Sequence, residues 1–269
     1  MKIVGRVESL WRYPVKSMRG EELARAFVGF GGIYGDRGYA FLSAGAMAGF
    51  PYLTARDKET MLLYGPVYRH AERMGQPPNL VEAAALGPGV SPLYAVSEDA
   101  MVDVRTPGGE VLAIDDARLM ESLREGLGEK HQLTLRQSHR AMTDCRPISL
   151  FSRQTGERLS EEVGARLDLR RFRANVYLDL EGAAGFAEDA GFSEDQWVGR
   201  TLRIGEQVAM AVVGRDPRCK MITLDPETGA ANPEVMKVLA REHEGMAGVF
   251  GAVLVEGSIR AGDAVTLLP

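Results

Sequence analysis

What most restricts the fold of this chain is the shortness and irregular spacing of its β-favouring runs. KIVGRV, ELARAFVGF, GYAFLS, SPLYAV and MVDVRTPGGEVLAI follow one another in the first part; RANVYLDL, GRTLRIGEQVAMAVV, CKMITLD, GVFGAVLVEG and AVTLLP follow in the second. The helical stretches between them are short and scattered, so neither a β-α-β rhythm nor a fixed-period repeat is visible. The predicted class is therefore mixed, mainly β, with closed or nearly closed barrels decorated by short helices. Within MVDVRTPGGEVLAI, Pro107, Gly108 and Gly109 mark a hairpin turn, and the Pro- and Gly-rich stretch from GQPPN to LGPGV reads as loop.

The texture changes after Ile114. Asp115 or Asp116 can cap a helix in which Leu119, Leu123 and Leu127 recur every fourth residue before Gly128 stops it. We place a domain boundary there, giving a β-rich N-terminal domain over 1–115 and a second domain over 116–269. A second helix is expected from Thr155, with Leu159 and Val163 on one face. A third starts at Asn232, whose side chain can cap it with Pro233 at the first position.

At 269 residues and 45% hydrophobic content the chain can bury a substantial core. Its formal charge of −5 argues against non-specific binding to nucleic acid or acidic membranes, so an anionic ligand must meet a local basic cluster. MKIVGRVESL does not read as a leader, and no run of apolar residues is long enough to span a bilayer. Two isolated cysteines, Cys145 and Cys219, exclude a disulfide framework or a paired-cysteine metal site, and a reducing, cytoplasmic location is expected.

Cys219 lies in GRDPRCKMITLDPETG, where an apolar run enters a loop and the thiol emerges beside Arg215, Arg218 and Lys220. Neighbouring cations favour the thiolate, which attacks electrophiles or ligates soft metals. The alternative is a buried structural thiol in a basic-flanked strand, and Cys145 is read as structural. In ARLDLRRFRANV, Arg166, Arg170, Arg171 and Arg173 are dense enough to suggest an anionic ligand, against the alternative of a solvated, ion-paired face. Strand alternation would put Arg173 and Asn175 on one side. YPVKSMRG offers the Lys16 ammonium and Ser17 hydroxyl to a phosphate, or is simply a surface loop; Arg37 and Arg56 follow in GGIYGDRGYAF and LTAR. The four histidines share no metal-ligand spacing, and neither a hydrolase elbow nor a dinucleotide fingerprint occurs.

Taken together, LWRYPVKSMRGEEL, YGDRGYAF and LTAR, then RPISL, RRFRANV, RCKMITLDPETG and GSIRAGDAVTLL, resemble the MOSC proteins. That family includes the mitochondrial amidoxime-reducing component and the C-terminal domain of molybdenum cofactor sulfurase. The resemblance implies an N-terminal MOSC β-barrel domain followed by a MOSC domain that binds molybdenum cofactor. It implies that Cys219 ligates the metal and that Lys16, Ser17, Arg37, Arg173 and Asn175 contact the pterin or its phosphate, with Arg218 shaping the pocket. The implied function is a molybdenum-dependent oxidoreductase that reduces hydroxylamines, amidoximes and N-hydroxylated base analogues. Electrons are expected from a separate flavin, iron–sulfur or haem protein, because the ferredoxin-like domain and membrane anchor of some relatives are not expected here. The competing implication is a non-catalytic carrier of cofactor or sulfur on Cys219.

Overall fold

The computed structural model describes residues 1–87, 90, 92–94, 100–180 and 191–269. It is mainly β with four short helices. Seven strands form a closed barrel in the order Lys2–Arg12, Val176–Asp179, Ile148–Ser152, Met246–Val255, Val208–Pro217, Thr201–Ile204 and Ala264–Leu267, and the last pairs again with the first. Closure leaves no free edge in the wall. Alternate residues point inward, and Val4, Val7, Leu10, Leu150, Leu178, Met210 and Val249 fill the interior with Trp197 at 1% exposure. Each fully buried aliphatic side chain contributes about 1.5–3 kcal/mol through area removed from water.

One β-α-β unit, which the sequence reading did not anticipate, lies in this wall. Ile148–Ser152 and Val176–Asp179 run parallel, with helix Arg153–Val163 between them in the chain. The helix begins two residues before the expected Thr155, because Ser152 is the capping residue and its hydroxyl accepts from the Thr155 amide. Leu159 is buried in a cluster separate from the barrel interior, with Phe151, Tyr177 and Leu239; Val163 packs against that cluster, and Gly164 ends the helix at φ +73°. A single parallel pair among antiparallel neighbours leaves no repeating period in the sequence.

A second core gathers Met18, Phe41, Leu53, Met61, Val102 and Leu112 from the first part of the chain. Around it stand the pair Tyr39–Ser43 and Leu133–Gln137, and the three strands Gly65–Tyr68, Val102–Arg105 and Val111–Ala113. The last two form the predicted hairpin, with Gly109 at φ +90° in its turn. Helix Ala117–Arg124, capped by Asp116 as expected, adds Leu119 and Leu123 to this core and ends before Gly128, with Gly126 left-handed. Helix Glu234–His243 follows the Asn232 cap, whose side chain accepts from the Glu234 amide at 3.1 Å.

The N-terminal stretch is shared between the two cores. Lys2–Arg12 belongs to the barrel, and Arg25–Gly29, paired with Gly257–Arg260 near the other end of the chain, adds Ala26 and Val28 to the barrel core, while Met18 packs in the second. Three local expectations are corrected. CKMITLD is not a strand but a 3-10 turn over Lys220–Thr223, followed by the predicted reversal at DPETG, where Asp225 accepts from the Glu227 and Thr228 amides. Arg173 is not in a strand either, since 3-10 residues Leu169–Phe172 lead to a left-handed Arg173 and regular pairing starts only at Val176. In the stretch expected as loop, Leu80–Ala84 forms a helical turn from residues of good helix propensity. Of the expected strand SPLYAV, residues 92–94 are described and are not strand; its other residues, and 88–89 in LGPGV, lie outside the described residues.

Candidate cofactor site

A cavity of about 130 Å³ lies where the two cores meet, and all seven residues that the family resemblance assigns to the site line it: Lys16, Ser17, Arg37, Arg173, Asn175, Arg218 and Cys219. Its N-terminal wall is made by two segments that bond to each other. Lys16 donates its amide to the Tyr39 carbonyl at 2.8 Å, Tyr39 returns to Pro14 at 3.1 Å, and the Arg37 amide reaches Tyr13 at 2.6 Å. Asp36, whose side chain is fully buried, accepts from the Tyr13 amide at 2.8 Å and pairs with the Arg37 guanidinium. Lys16 is buried, donates to the Met142 carbonyl at 2.7 Å and pairs with Asp144. Burial lowers the Lys16 pKa, and Asp144 opposes that shift.

The opposite wall comes from the barrel. Asn175 bridges the first strand and Ile148–Ser152: its Nδ2 donates to Trp11 at 3.3 Å and its Oδ1 accepts from Ser149 at 3.4 Å. Arg218 is taken up by its surroundings, donating to Ala247 and Phe172 carbonyls at 2.7 Å each and facing Asp216 Oδ2 at 3.0 Å. Gly248 makes room for it. At φ +73°, a Cβ there would come within 2.6 Å of the Leu150 carbonyl and 3.1 Å of Arg218 Nη2. Cys219 is half-buried between the end of strand Val208–Pro217 and the turn Lys220–Thr223. Its sequence neighbours do not surround it as expected: Arg215 pairs with Asp195 at 2.9 Å and Lys220 with Glu59 at 2.7 Å, and neither lines the cavity.

Between the walls stands Tyr13, 2% exposed, with the Arg37 guanidinium 4.6 Å and the Arg173 guanidinium 4.2 Å from its ring centre. The Tyr13 hydroxyl donates to Ala174 at 3.2 Å, and Arg37 donates to the Arg173 carbonyl at 3.0 Å. Among the described residues, five non-glycine residues have positive φ, and three of them are Ser17, Arg37 and Arg173. Left-handed backbone in bulky residues costs free energy and persists where the surroundings enforce it, commonly at functional sites. Arg173 forms no ion pair among the described residues, and its buried Nη2 has no hydrogen-bond partner. Burial, with Arg37 alongside and Tyr13 opposing, pulls its pKa down to about 10.

Of the arginine cluster in ARLDLRRFRANV, Arg171 also reaches the wall, where it donates to the Thr223 carbonyl and to Asp225, both at 2.9 Å, whereas Arg170 pairs with Asp168 outside the cavity and Arg166 is exposed. Other groups in the wall were not expected there. Asp216 lines the wall, and burial raises its pKa against the pull of Arg218. Cys145 is not a buried structural thiol; it is exposed at the cavity, with its pKa raised by partial burial and by Asp216. In all, seven cationic side chains and two carboxylates line the cavity of an acidic protein. Among the described residues no three His, Cys, Asp or Glu side chains gather as metal ligands, so a metal held by Cys219 must bring its other ligands with it. No helix there is long and apolar enough to cross a membrane.

The donor set fits a molybdenum-pterin group. One soft thiol suits a metal whose remaining ligands are its own, and an orphaned buried guanidinium in a cationic cavity suits the phosphate. The chain is similar over 98% of its length to the YuaD protein from Bacillus subtilis, covering 94% of that chain at 13% identity and a TM-score of 0.49. It is similar over 46% of its length to YiiM from Geobacillus stearothermophilus and from Escherichia coli. These cover 54% and 55% of those chains, at 20% and 16% identity and TM-scores of 0.34 and 0.32. No curated protein matches the chain. Two family models do match: the MOSC N-terminal beta barrel domain over residues 4–124 and the MOSC domain over residues 137–266. Together they span both walls of the cavity, and the chain belongs to the MOSC family, as an N-terminal β-barrel domain joined to a MOSC domain.

Proposed function

We propose that this protein binds molybdenum cofactor in the cavity through Cys219 and reduces N-hydroxylated compounds with electrons from a separate protein. MOSC domains are associated with molybdenum cofactor, and the observation that carries the reading here is the pairing of the Cys219 thiol with the unpartnered Arg173 guanidinium in one cationic cavity. When bound, the group supplies two-electron chemistry that removes the oxygen of an N–O bond and yields water.

The protein's part is binding and orientation. Cys219 Sγ offers the soft ligand. Arg173 offers a charge-assisted bond to a phosphate, and Tyr13 fixes its direction. Ser17 and the remaining amide hydrogen of Asn175 add neutral donors, while Lys16 and Arg37 come with their charges already matched by Asp144 and Asp36. Burial keeps the Asp216 carboxyl protonated to higher pH than an exposed one, which makes it the wall's candidate proton holder.

The test is molybdenum and pterin content of protein purified from a host that makes the cofactor, beside Cys219→Ser. The expected result is near-stoichiometric metal in the native protein and its loss in a folded variant, since a hydroxyl is a poor ligand for a soft site. Retention of metal by Cys219→Ser would refute the ligand assignment. Absence of both metal and pterin from the native protein would favour a sulfur carrier.

A further inference from the structure

We propose that the mouth of this cavity is a second anion-binding subsite, formed by Arg56 and Arg146, which takes a carboxylate or phosphate carried by the substrate. The proposal rests on the cofactor reading above, in which the deep Arg173 meets the cofactor's phosphate. Of the seven cations in the wall, Lys16, Arg37, Arg171 and Arg218 each face a carboxylate. Arg56, Arg146 and Arg173 have none among the described residues, and they lie at different depths. Arg173 is half-buried with its Nη2 out of water beside Tyr13, Arg56 is half-buried with its terminal nitrogens reached by water, and Arg146 is exposed.

Arg56 is held for the task. Its guanidinium lies 4.5 Å from the Phe50 ring centre, and its Nε donates to Thr54 Oγ1 at 3.3 Å, which leaves both terminal nitrogens unpartnered among the described residues. Arg146 makes no hydrogen bond or ion pair there. The carboxylate at this mouth, Asp144, is engaged by Lys16. One phosphate at the deep end leaves two outer guanidiniums unmatched, and two arginine forks are suited to a planar carboxylate or a phosphate. Substrates with an acidic group beyond the N-hydroxy centre should therefore be selected over neutral ones. The same chemistry could come from a cofactor extended by a nucleotide, whose second phosphate would reach the mouth.

The test uses calorimetric titration of the purified holoprotein, without electron donor, with benzamidoxime and 4-carboxybenzamidoxime. The carboxylated compound should bind about tenfold tighter or better, the worth of one charge-assisted contact. Arg56→Gln combined with Arg146→Gln should bring the two dissociation constants together. Equal affinities in the native protein, or a preference that survives in the double variant, would overturn the subsite. Should the double variant not fold, the exposed Arg146→Gln alone must reduce the preference. One nucleotide per molybdenum in the released cofactor would assign the mouth to the cofactor and overturn the substrate assignment. Molybdenum present without preference sinks the subsite alone; absence of both sinks the cofactor reading as well, and preference without molybdenum supports the subsite by itself.

Discussion

Arg37 and Arg173 form a natural comparison across the cavity. Both are left-handed, both stack on Tyr13, and both are largely out of water. Arg37 has Asp36 beside it, and although burial opposes its charge, that carboxylate raises its pKa; Arg173 has no such partner and is shifted the other way. The same residue type on the same ring is thus scaffold in one wall and unmet demand in the other. Charge pairing, more than residue identity, separates the side chains that build this site from those left to hold a ligand.

The sharpest way to break the comparison is to remove each arginine from the metal-free protein. Arg37→Met leaves the buried Asp36 carboxylate without its cation and should cost about 3–5 kcal/mol in denaturant unfolding. A loss below about 1 kcal/mol, the worth of an exposed pair, would show that Arg37 is no scaffold. Arg173→Met removes an unpaired buried charge, so the metal-free protein should be no less stable. Its effect belongs to the ligand: cofactor retention under limiting supply should fall by the equivalent of about 1.5–3 kcal/mol. Destabilisation on the scale of Arg37→Met, with unchanged retention, would erase the distinction.

The smallest effect concerns the support behind the barrel wall. Glu194 is fully buried and accepts from the Ser152 amide at 3.1 Å and from the Ser152 and Thr155 hydroxyls at 2.8 Å each, at the start of helix Arg153–Val163. Burial raises its pKa above 4.5 despite these donors. The folded state therefore binds this proton more readily than the unfolded one. Its stabilising contribution is complete below about pH 4.5 and is lost as the pH rises through the folded value. Glu194→Gln should flatten the pH dependence of unfolding over that window by at most about 1.4 kcal/mol per pH unit. An unchanged slope would mean that Glu194 does not titrate there.

How much of this was legible depended on how local the cause was. Asp116, Asn232 and the Pro107–Gly109 turn act within a few residues, and each was readable in the sequence. Ser152 was missed as a cap because Thr155, three residues on, carries a similar signal. The left-handed conformations of Ser17, Arg37 and Arg173 left no mark, because only the folded surroundings impose them on non-glycine residues. The expected strand alternation reached a fact about Arg173 and Asn175, their shared cavity, for a reason the backbone does not support. Asp216 and Cys145 became visible in the wall only once segments far apart in sequence were brought together. The cavity residues themselves were reached through family motifs more than through any local physics.

The pairing of strands from the two ends of the chain sets an order of events. Lys2 pairs with Leu267 and Ile3 with Thr266, so the barrel cannot shut until its final strand has left the ribosome. Until then the first strand has an unpaired edge, and such long-range pairing is slow to form and exposed to misassociation. The cavity walls draw on residues from 16 to 250, so no product that stops short of Phe250 holds a complete site. Loading of any ligand there follows that late stretch of synthesis, and anything that delivers it has to recognise both parts of the chain folded together, not a nascent N-terminal domain.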